Sequence, residues 1–178
     1  MIAKFYHRDQ PRDDRGRWTS AGPGWGARRS DGLQHHYLYQ TLVCIRGDVR
    51  CTTENAWNGL LRNAYPGQDP MAGPIPLDGG NFNVFGEPSG AIRSTVDADN
   101  LNVTNETLPG HVFYKGIVNR SVVETPAGIF VRTEGFGTNP NIHNWVENHA
   151  AGALGFRGPD SNVRAYITNP GFYDRTKR

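Results

Sequence analysis

The chain has 178 residues, enough for one domain plus a tail, with 19 Lys/Arg against 17 Asp/Glu. Residues 1–32 carry a net charge of +3 and the remainder −1, so the body is too neutral for a duplex-wrapping protein yet leaves room for a small phosphate-binding cluster. No apolar run approaches the roughly 20 residues that cross a bilayer, and the N-terminus MIAKFYHRDQ lacks the apolar centre of a secretory signal.

Residues 1–32 are polar, rich in Gly, Pro and Arg and without periodicity, which predicts an extended basic tail ahead of a single domain over residues 33–178. Trp18 and Trp25 in this tail suit docking onto a body or a partner. HHYLYQTLVCI, residues 35–45, is rich in β-branched and aromatic residues and predicts a strand. Cys44 and Cys51 follow in VCIRGDVRC, where an Arg46-Gly47-Asp48 turn allows a disulfide; two reduced thiols are the alternative. The same tripeptide occurs in cell adhesion, but three residues match too often by chance to count.

TTENAWNGLLRNAYPG predicts a helix. Thr52 or Thr53 caps it, Trp57, Leu60, Leu61 and Ala64 form the apolar stripe, and Pro66-Gly67 stops it. Short strands follow at 82–85, 91–97, 101–108, 112–124 and 129–135, with turns at Asp97-Ala98-Asp99-Asn100 and Pro126-Ala127-Gly128. A second helix is expected after Asn139 and Pro140, burying Ile142, Trp145, Val146 and Ala150 and ending at Gly152. A final short helix over 160–167 buries Val163, Tyr166 and Ile167. This order predicts an α+β fold: an antiparallel sheet of about five strands flanked by two or three helices.

The P-loop, dinucleotide, zinc-protease, nucleophile-elbow and deaminase motifs are all absent from the sequence. No cofactor and no metal site is expected. The stretch LPGHVFYKGIVNRSVV instead suggests metal-independent cleavage of RNA, which needs a base, an acid and a cation for the phosphorane charge. His111 would be the base or acid, and Arg120 and Arg132 the phosphate-stabilising groups on one shared sheet face. Lys115, Thr133, Glu134 and His143 would assist. A turn-stabilising role for His111 and a surface charge cluster for the arginines are the plain alternatives. His149, on the apolar side of its helix, fits a core histidine. His35 and His36 fit strand surface, or else a metal or ring contact. GFGTNPN, residues 135–141, predicts a glycine-rich loop leading into a helix N-terminus, a credible anion site beside His111.

DQPRDDRGRWTSAG (9–22) resembles the QPR…GRW-type leader found before effector domains of bacterial polymorphic toxins and in phage-associated proteins. LPGHVFYKGIVNRSVV…FVRTEGFGTNPN…FRGPDSNVRAYI, from Leu108 to about Ile167, is similar to C-terminal modules of such effectors. The resemblance implies a toxic domain delivered into a competing cell by a specialised secretion route and neutralised by an immunity protein. An RNA-cleaving activity is the first expectation. A NAD-consuming enzyme using Arg132, Thr133 and Glu134 is the second. The third is a non-enzymatic phage or secretion-particle component whose tail docks on a larger assembly.

Overall fold

The computed structural model describes residues 33–84, 90–111, 113–139 and 155–173. The chain divides after Asp31, and all the described elements belong to the unit Gly32–Arg178. Its strands are β1 (Leu33–Ile45), β2 (Gly80–Val84), β3 (Gly90–Asp97), β4 (Asn102–Thr107), β5 (Gly116–Thr125) and β6 (Gly128–Asn139). They form one sheet in the order β1-β6-β5-β4-β3-β2, antiparallel throughout. Helices α1 (Thr53–Leu61), α2 (Arg157–Thr168) and the short α3 (Pro170–Tyr173), with a 3-10 turn at Pro70–Ala72, complete the described elements, and the fold is α+β. None of these helices is long and apolar enough to cross a membrane.

Local chemistry explains the boundaries. The Thr52 side chain accepts from Asn55 N–H and caps α1, as the sequence suggests. Asp97 accepts from both the backbone and the side chain of Asn100, tightening the β3–β4 turn. Thr125 and Gly128 face each other across a two-residue Pro126–Ala127 loop, which sets the register of the whole β5–β6 pair. Cys44 and Cys51 are joined by a disulfide, tying the end of β1 to the residue before the α1 cap.

Alternation then assigns the two faces. Tyr37, Tyr39, Thr41 and Val43 of β1 lie on the side of Val131 and Thr133 of β6 and of Val118, Arg120 and Val122 of β5. This inner face carries the helices. Val43, Val122, Ile129 and Val131 pack there against Ala56 and Leu60 of α1 and Val163 and Ile167 of α2. A second cluster joins Leu61, Ala64 and Ile75 to Val103 of β4. Trp57 touches both clusters and joins them into one layer.

Two expectations need correction. β5 starts at Gly116 rather than 112, because residues 108–111 and 113–115 belong to a turn connection held by side chains. β6 does not end at residue 135 but continues to Asn139, with Gly135, Phe136, Gly137 and Thr138 paired to Tyr37, His36, His35 and Gln34. The backbone of 135–139 is therefore committed to the ladder and is not an open anion-binding loop. Aromatic cover explains why so glycine-rich a segment holds as strand. The Tyr37 ring lies on Gly135, and the His36 ring stacks on Phe136 at 4.5 Å. The expected helix after Asn139 lies outside the described residues.

Gly135 has no space for a side chain: an added Cβ would stand 2.1 Å from the Tyr37 ring. Gly135→Ala is expected to destabilise the domain by about 2 kcal/mol in urea unfolding. In a Tyr37→Ala background the same substitution should cost less than about 1 kcal/mol, since the two changes share one contact.

Candidate functional site

The residues singled out in sequence divide between three places. Arg120 pairs with Thr133 and points inward, whereas Arg132 pairs with Ser121 and points outward. The shared face expected for the two arginines is thus corrected by register: residues 120 and 132 fall on opposite sides of the sheet. On the outer face Glu134 binds Arg132 at 2.8 Å and accepts from His36 Nε2 at 3.1 Å. Thr133 faces inward. The Arg132-Thr133-Glu134 trio therefore presents no common surface.

His111 occupies the third place, the β4–β5 connection. It is 7% exposed, and its Nδ1 accepts the Phe113 backbone N–H at 3.0 Å, leaving the ring proton on Nε2. Its own N–H donates to Leu108 O, and Tyr114 N–H donates to its carbonyl. Thr107 Oγ1 secures the far end by accepting Gly116 N–H at 2.6 Å. The backbone of Gly90 lies so close that an added Cβ would stand 2.6 Å from His111 Cα. These contacts make His111 a strut of the turn, with its pKa held below the usual imidazole range by burial. Lys115 is exposed on the same turn. From this turn the Arg120 position is four residues along β5, about 13 Å. His143 and His149 lie outside the described residues.

The inner face holds the arrangement that merits most attention. Arg120 is wholly buried, and its guanidinium donates to Asp160 of α2, to the backbone carbonyl of Asn63 after α1, and to Thr133 Oγ1. The Phe156 ring covers it at 4.9 Å. Asp160 is equally buried and accepts a second bond, from Thr41 Oγ1 at 2.5 Å. Neighbouring Asn105 of β4 donates to Ala64 O at 2.8 Å and accepts from Ser94 at 2.7 Å. The interior thus contains a polar layer beside its apolar core, with nearly every bond made.

The Tyr39 hydroxyl is the exception: it is buried and, among the described residues, has no hydrogen-bond partner. Thr133 sits near enough to favour the phenolate but makes no bond of proper geometry with it. Burial and then Asp160 push the Tyr39 pKa up to about 12. Tyr37 is also raised above the usual phenol value, first by burial and then by Tyr39, while Arg120 opposes the rise. Both phenols stay protonated at physiological pH, and Tyr39 offers an O–H donor. Among the described residues no cluster of His, Cys, Asp and Glu could hold a metal ion. The sequence reading missed Asp160, Tyr37, Tyr39 and Asn63. The first three were detectable by parity, since each falls on an apolar stripe where a polar group needs a buried partner.

No family model and no curated protein matches the chain. Solved structures do. The Mesorhizobium loti protein MLL2253 is 14% identical, with a TM-score of 0.50 over 81% of this chain and 100% of its own. A Thermobifida fusca protein solved by NMR is 11% identical, TM-score 0.45, over 82% and 95%. Ara h 8.0201 is 7% identical, TM-score 0.41, over 77% and 99%. The likeness to the first of these shows a shared α+β fold and says nothing of activity.

Asp160→Asn removes the countercharge of a buried arginine and is expected to destabilise the domain by about 3–5 kcal/mol in denaturant unfolding. The double change Arg120→Met with Asp160→Leu should recover much of that loss. His111 predicts a pH dependence. Its folded pKa lies below the unfolded value of 6.5, so its stabilisation is complete above that pH and is lost as pH falls through the folded value. Unfolding free energies at pH 8 and pH 5 should show a smaller acid loss in His111→Asn than in the wild type.

Proposed function

We propose that the domain is a binding module for a small neutral organic ligand, held on the inner face against Tyr37 and Tyr39, and not an RNA-cleaving toxin. One observation carries this reading: a buried hydroxyl without a partner, Tyr39, in a layer whose other polar groups are satisfied. Leaving a hydroxyl unpaired indoors costs about 1–3 kcal/mol, and an occupant that accepts a hydrogen bond removes that cost.

Accessibility supports the placement. Along the inner face Val131 and Thr133 are closed to solvent, whereas Tyr37, Tyr39, Val118 and Gly137 keep partial exposure. A ligand entering from the Gly137 end would meet the two phenol rings first. Charge suits a neutral molecule: Arg120 is compensated by Asp160, and the phenols stay protonated. What the layer offers is a donor and aromatic walls, fitting a planar or cyclic body with a carbonyl or ether oxygen. A catalytic reading has less support, because the groups it needs stand on different faces or are engaged in the turn.

Nile red, a neutral planar dye with a carbonyl oxygen, is a suitable probe. Fluorescence titration of the full chain should show saturable binding, weakened about 3–10-fold by Tyr39→Phe, which removes one hydrogen bond. Absence of saturable binding, or equal affinity in Tyr39→Phe, would overturn the site. RNA cleavage by the purified wild type, lost in a folded His111→Ala variant, would restore the toxin reading in its place.

A further inference from the structure

The geometry points to the free edge of β1 as the seam of a two-fold dimer, in which a second copy of this chain extends the sheet by antiparallel pairing of β1 with itself. β1 is a terminal strand, and among the described residues it pairs only with β6. At 13 residues it is also the longest strand. Edges of this length are ordinarily blunted by charges, Pro or bulges. LQHHYLYQTLVCI contains no Lys, Arg, Asp, Glu, Pro or Gly, and Leu38 is 51% exposed. The other edge, β2, is short, starts with Gly and carries Asn81 and Asn83. Only one of the two edges is therefore open to pairing over a long run.

Two details define the occupant and the register. The Leu42 carbonyl is taken by Arg164 Nε of α2 at 2.7 Å, and a bulge follows between Leu42 and Cys44, so the continuous stretch without a second strand partner among the described residues runs from Leu33 to Thr41. Its midpoint is Tyr37. A two-fold axis there places Leu38 of each copy opposite the other copy's His36 on the outer face, and sets the two Tyr37 residues against each other on the inner face. Since the strand holds no Lys, Arg, Asp or Glu, self-pairing brings no fixed like charges together. A strand from a strongly charged partner would gain nothing here, whereas a second copy matches in length, polarity and twist.

Sedimentation of the full chain across the micromolar range should show a concentration-dependent dimer, with slower amide exchange in Leu33–Thr41 as it forms. His36→Lys with Leu38→Lys puts four lysines at the seam and should weaken association about tenfold or more. Both lysines lie near Glu134, which favours folding, and circular dichroism checks the fold. Leu38→Lys alone keeps the His36–Glu134 contact and should weaken the dimer less. A monomer at every concentration overturns the proposal, and so does a dimer whose constant the double substitution leaves unchanged. Dye binding by Nile red is measured separately, so failure of the dimer and failure of the ligand site give different results.

Discussion

A guanidinium with no access to water organises this domain. Arg120 sits at zero exposure, and a buried charge survives only if its countercharge and donors are satisfied in place. Asp160 supplies the countercharge from α2, Asn63 a carbonyl from the end of α1, and Thr133 a hydroxyl from β6; Thr41 of β1 then completes Asp160. Three strands and two helices must converge for one side chain to be tolerated. Apolar packing between α2 and the sheet would permit several sliding positions of the helix. The ion pair permits one, because a displacement of a single turn leaves both charges unpaired. The pair thus contributes specificity of packing more than net stability.

The same burial decides which chemistry the domain can offer. A cation used for transition-state stabilisation must reach its substrate, and this one is enclosed by Phe156, Asp160 and the chain after α1. His111 is spent in a similar way, its acceptor nitrogen occupied by the Phe113 N–H. Glu134 and Arg132 neutralise each other on the far side of the sheet. What remains uncommitted on the inner face is a phenol, a group that donates one hydrogen bond and resists ionisation. That equipment suits recognition, and it is what supports the proposed binding reading.

Much of the fold was legible. The Thr52 cap, the Asp97–Asn100 turn and the stripe Val163, Tyr166, Ile167 are local, and local rules found them. The Arg120–Arg132 separation was legible too, had the hairpin been followed through. A two-residue loop that sets Thr125 opposite Gly128 also sets residue 120 opposite 133 and residue 132 opposite 121. Parity further places Arg120 with Val118 and Val122, and Asp160 on the same helix stripe as Val163 and Ile167. An inward arginine and an inward aspartate in one small domain are strong candidates for each other. The extension of β6 through Gly135 and Gly137 was not legible. Glycines there read as a loop, and the Tyr37 ring that covers Gly135 comes from β1, far away in sequence though adjacent in the sheet.

β1 carries three separate demands without conflict because a strand has three directions. Tyr37 and Tyr39 project inward to the polar layer, His36 and Leu38 project outward, and the backbone edge lies in the plane between them. Substituting the outward pair alters the seam while leaving the phenols in place. The two inward rings gain from the edge being occupied, since a strand paired on both sides holds its side chains more rigidly than one paired on a single side. A ligand that needs Tyr39 at a fixed position would then bind more tightly to the paired form, and by linkage it would strengthen the pairing by the same factor. On the two proposals together, the uncharged run from Leu33 to Thr41 would have a single account: a strand whose edge and inner face serve the same recognition event.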